Sequence, residues 1–315
     1  MRSLRIVFMG TPDFAVASLE SILDANYNVV GVITAPDKPA GRGRKLQESP
    51  VKKFAISKGL KVLQPTNLKD GAFIDELKAL DPNVQVVVAF RMLPKVVWDL
   101  PQFGTFNLHA SLLPQYRGAA PINWAIINNE KKTGVSTFFL DEKIDTGAMI
   151  LQKEINIAAE ESVGELHDKL MEVGAGVVIE TLELIEKGNL TPTPQPFDQL
   201  LKDAPKLNKE NTKINWNDSL DQIYNLIRGL NPYPAAWSIL FNGGKEEKVK
   251  IYHCKKEIAS HSLENGSILV EDKKLKVATE GGYLIIEELQ LPGKRKMDVK
   301  SLLNGYDFSK GAKFL

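Results

Sequence analysis

One histidine of the chain occupies a strand-like position beside an asparagine. In Phe106, Asn107, Leu108 and His109, apolar and polar residues alternate, and a turn rich in proline and glycine follows. Because successive side chains of a strand point to opposite faces, Asn107 and His109 project to the same side. An amide donor beside an imidazole could bind an oxyanion and move a proton. A histidine that only bonds the backbone at a strand end would show the same spacing.

A group of carboxylates follows a later strand pattern. The stretch LDEKIDTGAMI contains Asp141, Glu142 and Asp145, and Asp145-Thr-Gly is typical of a turn. If this strand lies beside the one that ends at His109, an aspartate of the loop can reach the imidazole. It would then select one tautomer and favour the charged form of the ring.

The sequence offers no obvious protein nucleophile near this group. Ser111 is the candidate in a rival Ser/His/Asp hydrolase, but the chain has no Gly-x-Ser-x-Gly elbow. Asparagine, histidine and aspartate without a nucleophile suit a reaction in which the substrate supplies it. An amine that attacks a carbonyl carbon is one such reaction.

Nucleotide and metal sites are disfavoured by the motifs. The turn Gly10-Thr-Pro-Asp-Phe has one glycine where a dinucleotide-binding turn needs three, and no Walker loop occurs. His109, His167, His253 and His261 are far apart in sequence, and there is one cysteine, so no local metal-ligand spacing exists. We therefore expect no NAD, ATP or metal.

Strand-like and helix-like segments alternate along the first part of the chain. Apolar runs rich in β-branched residues predict strands at residues 4–9, 28–33, 84–89, 105–109 and 135–140. Helical spacing lies between them, for example at residues 50–58 and 71–80. This alternation predicts an α/β fold with a doubly wound, mostly parallel sheet. Ligands bind at the carboxyl ends of such strands, which is where His109 is expected.

The pattern changes in the second part of the chain. Residues 149–157 alternate as an antiparallel edge strand would, and residues 162–165 predict a capping box that opens a long helix to about Lys187. The proline-rich residues 191–196 begin a linker. Beyond about Leu207, short strand candidates with glycine-rich turns predict a small barrel or sandwich.

Length and composition bound the class of protein. A chain of 315 residues with 43% hydrophobic and 25% charged residues predicts two globular domains. Its net charge is +1, and residues 205–315 hold 18 basic and 14 acidic side chains. The lone Cys254 excludes an internal disulfide and suits a reducing compartment. No stretch approaches a membrane span or a signal peptide, so we expect a cytoplasmic protein.

Several segments, in order along essentially the whole chain, resemble the methionyl-tRNA formyltransferases among the 10-formyltetrahydrofolate-dependent transformylases. They are GTPDFAVASLESI, APDKPAGRGRKLQESPVK, FNLHASLLPQYRGAAPINWAI, GVSTFFLDEKIDTGAMI, KLNKENTKINW and IRGLNPYPAAW. The resemblance implies a Rossmann-like catalytic domain at residues 1–189, a linker at 190–207 and a smaller OB-like, tRNA-binding β-barrel at 208–315. It also implies transfer of a formyl group from 10-formyltetrahydrofolate to the α-amine of methionyl initiator tRNA. We expect a monomer.

The same resemblance implies roles for individual residues. Asn107, His109 and Asp145 match the family's catalytic trio. The folate-contacting segment of the family matches Ser111, Leu112, Leu113 and Pro114.

The basic loop at residues 38–45 is the expected tRNA contact. It carries Lys38, Arg42, Arg44 and Lys45 with two glycines, and such a loop suits contacts with an acceptor stem. On its own, a run of charge is usually solvated surface. The resemblance implies that Arg42, Arg44 and Lys45 bind tRNA, with Arg42 foremost. Weaker candidates for RNA backbone contacts are Lys245, Lys248, Lys250 and the cluster at residues 294–296.

The chain departs from the family at Phe90 and Arg91, where relatives usually have Tyr-Gly and one more residue. In relatives this loop lies against the pterin, so the detail of the folate pocket stays open. Two rival functions also stay open. One is a transformylase acting on a sugar amine or a purine precursor, and the other is an RNA-binding protein on an inactive transformylase scaffold.

Overall fold

The computed structural model describes residues 2–40, 45–196 and 200–315. Within these ranges the chain forms two compact units. The first comprises Met1–Gly118, Lys132–Ile155 and His167–Asp203, and the second comprises Ala119–Lys131, Asn156–Leu166 and Ala204–Leu315. The domain boundaries expected from the sequence, at residues 189 and 208, stay a prediction.

The helices and strands of the described residues are as follows. The helices are α1 (Asp13–Asp24), α2 (Pro50–Ser57), α3 (Gly71–Ala79), α4 (Lys95–Trp98), α5 (Pro121–Ile127), α6 (Val163–Lys187), α7 (Leu220–Leu230) and α8 (Val299–Leu302). The strands are β1 (Arg5–Gly10), β2 (Asn28–Ile33), β3 (Lys38–Ala40), β4 (Lys45–Gln47), β5 (Val62–Leu63), β6 (Val84–Val88), β7 (Thr105–His109), β8 (Arg117–Gly118), β9 (Lys132–Phe139), β10 (Met149–Asn156), β11 (Asp203–Ala204), β12 (Ala236–Asn242), β13 (Lys245–Ile258), β14 (Ile268–Glu271), β15 (Lys274–Thr279), β16 (Gly282–Gln290), β17 (Met297–Asp298) and β18 (Lys313–Phe314).

A seven-stranded sheet organises the first unit, in the order β10, β9, β7, β6, β1, β2, β5. The strands from β7 to β5 are parallel to their neighbours, and β9 is antiparallel to β7. All five residues of β6 are buried, and four of them are valines, as expected for a strand covered on both faces in an α/β sheet. The predicted α/β fold with a mostly parallel, doubly wound sheet is confirmed, and β10 lies at the edge.

Capping side chains define where the helices begin. Ser49 accepts a hydrogen bond from the Lys52 amide at the start of α2, and Asp70 accepts one from the Phe73 amide at the start of α3. Before α6, the Ser162 amide donates to Glu165 Oε2 at 2.8 Å, while Ser162 Oγ accepts from the Glu165 amide at 3.4 Å. The predicted capping box is present. No described helix has both the length and the apolar composition needed to cross a membrane.

An antiparallel sheet, curved almost to closure, organises the second unit. Its order is β14, β15, β16, β13, β12, β18, with β17 paired to β16. The two ends approach each other where the Phe314 amide donates to the Gly266 carbonyl oxygen at 2.9 Å. The ring of Phe314 is buried and stacks on Trp216 with centroids 5.2 Å apart. The predicted small, OB-like barrel is confirmed in fold class.

Candidate active site

Asn107 and His109 lie on β7, between β6 and β9 in the sheet of the first unit. Asn107 is opposite Val87 on one side and Phe138 on the other, and His109 is opposite Ser136. The Asn107 side chain is half-buried, and no other described residue hydrogen-bonds to it. The amide is therefore free to donate hydrogen bonds to a bound molecule.

The ring of His109 is buried, and a carbonyl in the loop that follows β7 selects its tautomer. Nε2 lies 2.8 Å from the Tyr116 carbonyl oxygen. Because a carbonyl oxygen only accepts hydrogen bonds, Nε2 must carry a hydrogen. In the neutral ring Nδ1 is then the basic nitrogen. It faces Asp145, with 3.9 Å between Nδ1 and Oδ2.

Asp145 lies in the loop between β9 and β10, and it is the loop carboxylate that faces His109. Its Oδ2 accepts a hydrogen bond from the Gly118 amide at 3.0 Å. Its φ of +54° is in the left-handed region, which aspartate adopts more readily than most non-glycine residues. The structure thus brings Asn107, His109 and Asp145 to one place in the first unit.

The other two carboxylates of this loop are turned away from His109. Asp141 accepts hydrogen bonds from the Thr146 hydroxyl at 2.8 Å and from the Lys143 amide at 2.9 Å, so it holds the loop together. Glu142 is exposed and pairs with Lys95 at 3.2 Å. Of the three acidic residues that the sequence offered as partners of the imidazole, Asp145 is the one that faces His109.

Gly147 allows the loop to return close to β9. A Cβ at this position would lie 1.7 Å from the Phe139 carbonyl oxygen, a distance no side chain can adopt. The Phe139 amide, in turn, donates to the Ala148 carbonyl oxygen at 3.0 Å. A glycine two residues after Asp145 is therefore required by this backbone path.

The expected folate segment, Ser111 to Pro114, is mostly turned into the protein. Ser111, Leu113 and Pro114 are buried, and Leu112 is half-buried. The Ser111 hydroxyl donates to the Gln115 carbonyl oxygen at 2.6 Å, which leaves it committed to the backbone. The structure therefore gives no support to Ser111 as a hydrolase nucleophile, and Leu112 is the side chain of the four that is partly exposed.

The segment at Phe90 and Arg91, where the sequence departs from its relatives, is held by the backbone of a neighbouring loop. The Arg91 guanidinium donates to the carbonyl oxygens of Thr66, at 3.0 Å, and of Pro65. Burial lowers the pKa of Arg91 from its ordinary value. Just before it, Ala89 has a φ of +47°, and β6 therefore ends at Val88.

The described ends of the expected tRNA-contacting loop are β3 and β4, which pair as a short antiparallel ladder. Arg42 and Arg44 lie outside the described residues; Lys45 opens β4, with its backbone opposite Ala40. Asp37 anchors the base of this ladder, accepting hydrogen bonds from Lys52 at 2.5 Å and Gln64 at 2.7 Å. These bonds, chiefly the one from Lys52, hold the pKa of Asp37 below its ordinary value.

Comparison with known proteins identifies the family. The sequence profile of the formyl transferase family matches residues 4–182, and the profile of the formyl transferase C-terminal domain matches residues 206–307. The chain belongs to the formyl transferase family. A methionyl-tRNA formyltransferase of Flavobacterium johnsoniae is 59% identical over 313 residues, which cover 99% of this chain and 99% of that relative. The resemblance inferred from the motifs is confirmed.

Solved structures share the fold of this formyl transferase at low sequence identity. HypX from Aquifex aeolicus, solved in complex with tetrahydrofolic acid, is 18% identical with a TM-score of 0.65; the alignment covers 96% of this chain and 47% of HypX. The chain thus spans about half the length of HypX. An N-formyltransferase from Helicobacter canadensis, solved with folinic acid and dTDP-3-aminofucose, is 20% identical with a TM-score of 0.62; coverage is 93% and 100%. At these identities the likeness shows the fold alone.

Sequence reasoning missed the groups that orient this formyl transferase's candidate catalytic residues. The Tyr116 carbonyl and the Gly118 amide are backbone atoms, which no side-chain motif reveals. Gln195 is buried and donates to the carbonyl oxygens of Asp145, at 3.0 Å, and Gly147, at 2.9 Å. A glutamine in a proline-rich stretch gave no signal of such contacts. Within the described ranges, no cluster of three or more His, Cys, Asp and Glu side chains is placed to hold a metal ion.

Proposed function

We propose that this formyl transferase moves a formyl group from 10-formyltetrahydrofolate to the α-amine of methionine esterified to initiator tRNA. One observation carries the proposal. A free amide on Asn107 and the Nδ1 edge of His109 beside Asp145 are assembled in a chain 59% identical, along nearly its full length, to a methionyl-tRNA formyltransferase. The product is formylmethionyl-tRNA for the initiation of translation.

The chemistry requires no nucleophile from the protein. The methionyl amine attacks the formyl carbon and a new C–N bond forms. The result is a tetrahedral intermediate in which the former carbonyl oxygen is an oxyanion. Collapse of this intermediate breaks the bond between the formyl carbon and N10 of the folate. One proton leaves the amine, and one is delivered to N10.

Each residue of the trio has a role that its surroundings support. Asn107 donates a hydrogen bond to the oxyanion, because its amide is free of protein partners among the described residues. Nδ1 of His109 is the nitrogen that exchanges a proton with the reacting groups, since Nε2 is held by Tyr116. Asp145 aligns the ring and stabilises its charged form when a proton is bound.

The formyl donor is a folate, and 10-formyltetrahydrofolate is the form with the formyl group on the leaving nitrogen. Folates bound to HypX and to the Helicobacter canadensis enzyme support this choice. In this chain Leu112 provides apolar surface toward the donor. The buried Ser111, Leu113 and Pro114 keep that segment in its path, and their backbone is the part we propose to face the folate.

The two parts of the chain take different tasks in this proposal. Residues 1–189 form the catalytic domain, 190–207 the linker, and 208–315 the domain that helps to hold tRNA. On β13, Lys248 lies with Nζ 3.7 Å from the centroid of the Trp237 ring, an association of cation and aromatic group suited to RNA. Because the substrate takes part in the initiation of translation, the protein acts in the cytoplasm, and we propose that it acts as a monomer.

Two rival functions are less well supported. A sugar-amine transferase would share the formyl chemistry, but the Helicobacter canadensis enzyme is only 20% identical, against 59% for the tRNA-specific relative. An RNA-binding protein on an inactive scaffold would have no use for His109 and Asp145 within 3.9 Å of each other.

The test is a formylation assay with purified full-length protein and 10-formyltetrahydrofolate. The acceptors are charged initiator tRNA, uncharged initiator tRNA, charged elongator methionyl-tRNA and a dTDP-linked amino sugar. We expect formylation of charged initiator tRNA and little of any other acceptor. Preferred formylation of the amino sugar, or no formylation at all, would overturn the proposal.

Arg42 offers a separate test of the tRNA-binding loop. We expect Arg42→Ala to raise the KM for methionyl-tRNA and leave the KM for the folate unchanged, because the proposed role of this residue is to contact the acceptor stem and not the formyl donor. Lys78→Ala, which removes an exposed cation from α3, is the control. Equal kcat/KM for tRNA in Arg42→Ala and the wild type would refute this role.

A further inference from the structure

The amide of Gln195 clamps the backbone on both sides of Thr146. Nε2 donates to the Asp145 carbonyl oxygen at 3.0 Å and to the Gly147 carbonyl oxygen at 2.9 Å. Both hydrogens of one NH₂ group are thereby used on two carbonyls of the loop that carries the candidate catalytic carboxylate. Only a side-chain amide at this length offers two donors and an acceptor together.

The acceptor end of Gln195 is engaged as well. Its Oε1 accepts from Arg117 Nε at 3.2 Å and from Arg117 Nη2 at 2.6 Å. Arg117 precedes Gly118, whose amide donates to Asp145 Oδ2 at 3.0 Å. One glutamine therefore links β8, whose Gly118 amide binds the Asp145 carboxylate, to the loop that contains Asp145.

The segment that carries Gln195 is itself fixed to the same loop. Thr193 and Met149 exchange two backbone hydrogen bonds, of 2.8 and 2.9 Å, directly after the loop ends. Gln195 is two residues beyond Thr193, and only 1% of it is exposed to solvent. These residues fall in the stretch that the sequence predicted to be a linker, and they belong to the first unit.

The clamp acts on an uncommon backbone conformation. Asp145 adopts a φ of +54°, in the left-handed region. The two donor bonds of Gln195 hold the peptide planes that follow Asp145 and Gly147. The direction of the Asp145 side chain, and with it the 3.9 Å separation from His109 Nδ1, depends on those planes.

We propose that Gln195 is a positioning residue for formyl transfer: it holds the loop of Asp145 so that the carboxylate faces Nδ1 of His109. Arg117 supports it by holding Oε1. This inference rests on the proposed function, because Asp145 must take part in catalysis for its orientation to matter. It assigns to residues 193–195 a part in the active site.

The experiment compares Gln195→Met with the wild type in steady-state and single-turnover formylation of charged initiator tRNA. Methionine has a similar length and volume but donates no hydrogen bond. We expect kcat to fall about 10- to 100-fold, the scale on which small misplacements of reacting groups affect rate. The KM values for folate and tRNA should change less than about twofold, since no substrate contact is removed.

A double-mutant cycle separates positioning from a general loss of structure. If Gln195 acts through the carboxylate of Asp145, Gln195→Met should have almost no further effect on the rate in an Asp145→Asn background. Thr181→Val is the matched control, because it removes a buried hydrogen bond of 2.8 Å to Thr137 in the same unit. We expect it to lower stability with kcat unchanged.

The outcomes are distinguishable. No formylation by the wild type would overturn the proposed function itself. An active wild type with full activity in folded Gln195→Met would overturn the positioning role. Equal rate losses from Gln195→Met in the wild-type and Asp145→Asn backgrounds would also overturn it, because additivity means that the two residues act independently.

Discussion

His109 is oriented by the loop that directly follows it in the chain. The Tyr116 carbonyl oxygen accepts a hydrogen bond from Nε2. Two residues later, the Gly118 amide donates a hydrogen bond to the carboxylate that faces Nδ1. Both contacts come from backbone atoms of one short segment, in which Tyr116 has a φ of +59°. The path of this loop, which is rich in proline and glycine, therefore orients both the His109 ring and the Asp145 carboxylate.

At this scale Asn107 is the simplest residue to test. Asn107→Ala should lower kcat by about 10²–10³-fold, because one preorganised donor to the oxyanion is lost. The KM for both substrates should change little, since the bond strengthens only as charge develops on the oxygen. Rapid-quench measurement of a single turnover checks the rate of the chemical step, and steady-state kinetics gives KM. A loss confined to KM would contradict the role of Asn107.

The elements of the first unit were largely predictable from the sequence, and the site was predictable in part. Continuous apolar runs predict buried parallel strands, and the alternation in residues 105–109 correctly places Asn107 and His109 on one face. The short β5 and the β3–β4 ladder carry no such pattern and went unpredicted. Left-handed backbone at Ala89 could not be predicted either, because tertiary contacts impose it on a residue that does not favour it. Asp145 adopts the same conformation, which aspartate tolerates in turns such as Asp-Thr-Gly. Gln195 was missed because its hydrogen bonds are made to residues distant in sequence, which local patterns do not reveal.

The return of the β9–β10 loop depends on a single glycine. Gly147→Ala should lower the free energy of unfolding by about 1–3 kcal/mol or more and reduce formyl transfer, because the new methyl group displaces the Phe139 carbonyl and the loop with it. Urea denaturation followed by circular dichroism measures the change.

Gly176→Ala is the matched control on α6. Apart from the helix's own backbone and the adjacent residues, no atom lies within 4 Å of a Cβ built there, so alanine should stabilise the helix by about 0.5–1 kcal/mol. Equal effects of the two substitutions on stability would show that Gly147 is not sterically required.

The whole molecule has two units, each with a separate apolar core, and Cys254 reports on the second one. This thiol is 4% exposed and packs with buried residues of the barrel such as Ile251, Leu275 and Ile286. Burial, with a smaller contribution from Glu287, raises the pKa of the Cys254 thiol well above its ordinary value. The thiolate is therefore scarce at pH 8 in the folded protein, whereas an ordinary thiol is partly ionised there.

Native protein should thus react with Ellman's reagent at pH 8 far more slowly than the same protein in denaturant. The reaction should appear when the second unit unfolds, which separates its stability from that of the first unit. The denatured sample provides the rate of the free thiol as a control. Fast reaction of the native protein, at that same rate, would show that the barrel core is open at Cys254.

Single-turnover formylation of charged initiator tRNA by the wild type, His109→Ala and Asp145→Ala tests the central claim most directly. The account predicts formylmethionyl-tRNA from the wild type and a loss of about 10²–10⁴-fold in each variant. Circular dichroism and thermal unfolding should show that both variants remain folded. Near-wild-type rates in the two folded variants would contradict the account.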